Sequence, residues 1–132
     1  MRTTLATREE EAFGIAAGLY LGGGRPAVML QSSGLGNSLN AVTSLLLPYK
    51  IPTLMIISLR GDDGEWNAAQ MPMGRALRGI CDAMQVPHVT VDTGEAAEAS
   101  VRSAGEAAFR DRWPGACLFP RGLTSVPVRG TA

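Results

Sequence analysis

Residues 52–59 read Pro-Thr-Leu-Met-Ile-Ile-Ser-Leu, apolar almost throughout, with proline at one end and Arg60-Gly61-Asp62-Asp63-Gly64 at the other. A strand that alternates apolar and polar residues lies half in water, whereas one apolar on both sides has to be covered on both. This stretch is therefore expected in the middle of a sheet with helices above and below it. Working outward, shorter apolar runs at 26–30, 89–91 and 116–119 read as further strands. Between them the spacing becomes helical. Ala12, Ile15, Ala16, Leu19 and Tyr20 recur at three- and four-residue intervals over 7–21, and similar segments follow at 38–47, 74–84 and 95–111.

Thr7 reads as the N-cap of the first helix with Glu10 closing a capping box, Gly22 to Gly24 stop that helix, and 65–72 reads as a loop. Strand and helix in alternation specify right-handed crossovers and an α/β fold of three layers: a mostly parallel sheet with helices on both faces, and ligands at the carboxyl ends of the strands. One domain is expected over 1–120, and a flexible tail of Gly, Pro, Thr and Arg over 121–132. The stretch before Glu9 leaves only a remnant strand at about 3–6, so a doubly wound sheet is expected here without its first strand and helix.

Composition narrows the functions. At 132 residues the chain is long enough to bury a core without disulfide or metal staples. Twelve basic and twelve acidic side chains cancel, and no basic stripe with interleaved aromatics is present, which argues against nucleic acid as a partner. Cys81 and Cys117 sit in apolar surroundings without Cys or His at ligand spacing, as buried reduced thiols do, so no metal site is expected on this chain. No apolar run reaches the roughly 18 residues of a membrane span, and no secretory leader pattern opens the chain; a cytoplasmic location follows as the expectation. His88, the single imidazole, stands after Pro87 at a strand start and is assigned no catalytic part.

Two segments carry chemistry. Glu9-Glu10-Glu11 places three acids at the start of an apolar helix, where free N–H groups and the dipole favour negative charge. Gln31-Ser32-Ser33-Gly34-Leu35-Gly36-Asn37 reads as a Gly-rich loop between a buried strand and a helix, open to a phosphate or to a flat ring. It lacks both the GxGxxG pattern and a following Gly-Lys-Ser/Thr.

In this order, Glu9 to Gly18, Gln31 to Asn40, Ile51-Pro52 before a strand ending Ser58-Leu59-Arg60-Gly61, and Gln70-Met71-Pro72-Met73-Gly74-Arg75 resemble the pyrimidine-binding (Pyr) domain of thiamine-diphosphate enzymes. Within that group the resemblance is to the alpha subunits of sulfopyruvate decarboxylase and to phosphonopyruvate decarboxylases, and it runs from about Thr7 to Val91. It implies a 2-oxoacid decarboxylase subunit in which Glu9 bonds N1′ of the cofactor's aminopyrimidine, with Glu10 and Glu11 turned about 100° and 200° away around the helix. It further implies that Ser33, Gly34, Leu35, Gly36 and Asn37 pack by thiamine diphosphate. Arg60, with its guanidinium suited to a sulfonate or carboxylate, and with it Gln70 and Arg75, would meet a small anionic 2-oxoacid such as 3-sulfopyruvate.

The Gly-Asp-Gly and Asn pair that mark the diphosphate-binding (PP) domain are missing, since Gly61-Asp62-Asp63-Gly64 breaks the pattern. The resemblance therefore implies a separate PP-domain (beta) subunit holding Mg²⁺ and the diphosphate, in a hetero-oligomer with Pyr–Pyr contacts. The alternatives are a truncated, non-catalytic Pyr-like interaction domain and a nucleotide-binding α/β module using the Gly34 segment.

Overall fold

The structure, a computed structural model, describes residues 2–124. Helix α1 (Glu9–Leu21) leads through Gly22 to Pro26 into strand β1 (Ala27–Gln31), and α2 (Ser32–Asn37) follows without a loop. A single turn, α3 (Leu39–Ala41), and a π-helical turn (Val42–Leu46) continue it. Next come β2 (Leu54–Leu59), a 3₁₀ turn (Ala68–Gln70), α4 (Met71–Ala83), β3 (His88–Thr90), α5 (Ala97–Asp111), β4 (Gly115–Pro120) and a last helical turn, α6 (Arg121–Thr124).

Among the described residues four strands form one all-parallel sheet in the order β1-β2-β4-β3. The doubly apolar strand is an inner one, with β1 and β4 on its two sides. Alternate residues of β2 point to opposite faces. Met55, Ile57 and Leu59 join Val28, Ala116 and Leu118 against Phe13, Ala16 and Ala17 of α1, Leu35 of α2 and Leu77 and Cys81 of α4. Leu54 and Ile56 join Cys117 and Phe119 against Ala97, Val101 and Ala104 of α5. This is the expected three-layer α/β arrangement, with helices on both faces.

Several local expectations are corrected. The N-cap of α1 is Arg8, not Thr7. Glu11 rather than Glu10 supplies the capping carboxylate, accepting the N–H groups of Thr7 at 2.7 Å and Arg8 at 3.4 Å. Residues 3–6 form no strand. The segment 32–37, expected as a loop, is helical; the helix expected over 38–47 is found over 39–46, π-helical in its second part, and is set off from α2 at Ser38, whose hydroxyl donates to the Gly34 carbonyl at 2.8 Å and bends the chain there. Helix α4 begins at Met71 instead of Gly74, because Asn67 caps the preceding 3₁₀ turn through Ala69 N–H and Pro72 fits a first helical turn. Of the expected tail, Arg121–Thr124 are helical and docked, with Arg121 donating to the Gly64 carbonyl at 2.6 Å; residues 125–132 lie outside the described residues.

Candidate active site

Because every strand runs the same way and each helix returns the chain, the start of α1, the start of α2 and the start of α4 all meet at the carboxyl edge of the sheet. There the three acids of α1 separate into three jobs. Glu11 caps the helix. Glu10 pairs through Oε1 with Arg8 Nε at 2.6 Å, and its Oε2 is buried without a partner. Glu9 is half-buried and, among the described residues, has neither ion pair nor hydrogen bond; its side chain lies on the backbone of Gly34. A Cβ at Gly34 would stand 2.8 Å from Glu9 Cγ and 3.1 Å from Oε1.

The two glycines of α2 therefore serve close approach, not backbone freedom: neither has a positive φ. Gly34 admits Glu9, and Gly36 admits Met73 of α4, whose sulfur would be 3.1 Å from a Cβ there. Leu35 is fully buried in the core, so only its backbone is available to a ligand. Ser33 is half-buried and Asn37 exposed. Glu9 thus meets Gly34, Met73 of α4 meets Gly36 further along the same short helix, and Ser33 precedes Gly34 in the chain.

Arg60 follows β2 at the same edge. Its Nε and Nη2 donate to Glu65 at 2.7 and 3.1 Å, a side-on bidentate pair. Glu65 is the residue that sequence reasoning missed. Its side chain is fully buried and also accepts the N–H groups of Gly61 at 3.3 Å and Asn67 at 3.0 Å. Those donors, Arg60 foremost, hold its carboxyl down from the usual 4.5 to about 2. A folded-state value below the unfolded one means that the pair stabilises fully above about pH 4.5, and that this stabilisation drains away as pH falls toward about 2. Glu65→Gln is expected to lose less stability than the parent across that window, as read from denaturant midpoints at a series of acidic pH values.

Gln70 lies with its main chain against Gly61, whose φ of +81° and lack of a Cβ allow the contact, and its side-chain Oε1 is buried without a partner. Arg75 is exposed on α4 and makes no ion pair among the described residues. Asp62 pairs with Arg78 at 3.0 Å. A recess of about 810 Å³ beside α5, lined by Pro87, His88, Ala104, Ala108, Trp113 and Gly115, opens at the amino ends of β3 and β4, remote from this edge. Burial pushes the Cys81 thiol up to about 11 and raises that of Cys117, which makes both unreactive.

The sequence has known relatives. The chain is 46% identical over 114 residues to sulfopyruvate decarboxylase subunit alpha of Methanocaldococcus jannaschii, matching 86% of this chain and 68% of that one. It belongs to that family. The corresponding subunit of Methanococcus maripaludis is 43% identical over 113 residues, with 86% of this chain and 68% of the relative covered. A phosphonopyruvate decarboxylase of Streptomyces hygroscopicus is 39% identical over 126 residues, or 92% of this chain and 31% of that larger protein. No family model matches the chain. Both alpha-subunit relatives carry names that make each one part of an assembly containing another kind of chain.

Proposed function

We propose that this chain is the alpha, or Pyr-domain, subunit of a carboxy-lyase that converts 3-sulfopyruvate to sulfoacetaldehyde and CO₂, working with a separate PP-domain subunit that holds Mg²⁺ and the diphosphate of thiamine diphosphate. The observation that carries this reading is the division of labour in α1: of three adjacent acids, Glu9 alone has no hydrogen-bond or ion-pair partner among the described residues, and it rests on Gly34. The residues fit the cofactor's aminopyrimidine, since a half-buried, uncommitted carboxyl group is what a weakly basic ring nitrogen needs for proton sharing. When bound, thiamine diphosphate supplies the electron sink for loss of CO₂.

In this proposal Glu9 holds the proton shared with that nitrogen at its carboxyl oxygens, and Gly34 fixes where the carboxyl stands. The backbone of 33–37 would hold the aminopyrimidine ring, and Met73, packed on Gly36, bounds this segment on the α4 side. Arg60, Gln70 and Arg75 face the anionic substrate. The nucleotide alternative loses support, because the Glu9 carboxylate lies over Gly34, where a phosphate would be repelled.

The test is reconstitution. Mixed with a PP-type partner chain, Mg²⁺ and thiamine diphosphate, the protein is expected to release CO₂ from 3-sulfopyruvate, and absence of turnover in an assembled complex overturns the reading. Within that complex, Gly34→Ala pushes Glu9 off its seat. It should lower kcat by about tenfold or more while the complex still assembles, the loss expected when a catalytic group is misplaced by an ångström or so.

A further inference from the structure

The pairing of Arg60 with Glu65 has a direction. Glu65 takes the Nε and Nη2 side of the guanidinium, at 2.7 and 3.1 Å, and leaves Nη1 without a protein acceptor among the described residues. Arg60 keeps 27% of its side chain exposed, whereas the Glu65 side chain is completely buried. Glu65 is itself immobilised by the backbone N–H groups of Gly61 and Asn67. A planar fork held on one side in this way presents its end-on edge, Nη1 with the second hydrogen of Nη2, in a fixed orientation and with little rotamer entropy left to lose.

We infer that Glu65 is a positioning residue for the substrate: it aims the end-on edge of Arg60 at the anionic group at the far end of the 2-oxoacid. The inference rests on the proposed role of Arg60 in substrate binding. Simple charge balance points the other way, since a carboxylate beside Arg60 weakens its pull on an anion. The sign of the effect on KM therefore separates the two accounts.

The experiment uses the reconstituted complex with 3-sulfopyruvate and compares Arg60→Ala, Glu65→Gln, the double variant and Arg60→Lys. Positioning predicts that Glu65→Gln raises KM by about tenfold with kcat within about threefold, a loss of binding shared by ground and transition state. It also predicts that adding Glu65→Gln to Arg60→Ala changes KM by no more than about twofold, because the residue acts through Arg60. An unchanged or lower KM for Glu65→Gln, or full additivity in the double variant, overturns the inference. If Glu65→Gln fails to assemble, Arg60→Lys decides: it keeps the charge but not the fork, so KM should rise as in Arg60→Ala, and a parental KM means that a point charge suffices and positioning is wrong. Should Arg60→Ala itself leave KM unchanged, the substrate role of Arg60 fails, a result distinct from failure at Glu65.

Discussion

Glu9→Gln is expected to cost the reconstituted enzyme about 10²- to 10⁴-fold in kcat, the range over which a positioned proton-transfer group contributes. Glutamine keeps the length and shape of glutamate, so the contact with Gly34 survives, and the melting temperature and assembly with the partner chain should hold. Only the capacity to share an acidic proton is lost. The neighbours of Glu9 are engaged elsewhere, Glu11 with the N–H groups of Thr7 and Arg8 and Glu10 through Oε1 with Arg8 at 2.6 Å, which leaves Glu10 Oε2 as the buried rival oxygen of these two acids. Glu10→Gln is the informative control, since its Oε2 is buried and unpaired; it should retain most turnover. Glu11→Ala, which removes the oxygen that accepts both N–H groups, should weaken the helix start by about 0.5–2 kcal/mol and leave kcat near the parental value. Parental kcat in Glu9→Gln, measured as CO₂ release at saturating substrate and cofactor, would refute the assignment.

The parts of this site that were legible in the chain are those set by local pattern. The apolar run over 52–59 announced an inner strand because its few polar residues, Thr53 and Ser58, do not alternate with the apolar ones, and β2 is flanked on both sides. The helical period separated Glu9 from Glu10 and Glu11 before any contact was known. What was illegible depends on who stands opposite. Gly34 and Gly36 read as a loop because glycine is the usual residue of turns, yet their bareness makes room for Glu9 and Met73 on other helices. Arg60 read as a free cation, since nothing in Arg-Gly-Asp-Asp-Gly-Glu says which of three acids it will choose; the turn at Gly61 and the backbone donors of Gly61 and Asn67 select Glu65, while Asp62 goes to Arg78. The cap at Arg8 was missed for a similar reason. Thr7 has the better capping side chain, but the carboxylate that reaches back belongs to Glu11.

Gly74→Ala is expected to produce the largest loss of stability of any single methyl added to this protein, about 3 kcal/mol or more, at or beyond the upper end for overpacking. A Cβ at Gly74 would overlap the Arg60 carbonyl oxygen and stand 2.6 Å from Gly61 Cα and 2.7 Å from the Arg60 carbonyl carbon. Backbone of this kind yields only if its anchors yield. Arg60 N–H donates to Ser32 Oγ at 2.8 Å, that buried hydroxyl lies 3.2 Å from the Arg60 carbonyl and 3.3 Å from that of Ser58, and Glu65 grips the Gly61 N–H from the other side. The chain after β2 is therefore clamped between Ser32 at the start of α2 and Glu65, and α4 would have to move instead, taking Met73 away from Gly36 and loosening the seam beside Glu9. Gly79→Ala tests the same helix without the clash, because nothing lies within 4 Å of a Cβ there. Relief of glycine's conformational entropy should stabilise that variant by about 0.5–1 kcal/mol. Urea midpoints of the two variants should thus move in opposite directions, and a Gly74→Ala protein as stable as the parent would show that α4 does not lie against Arg60 and Gly61.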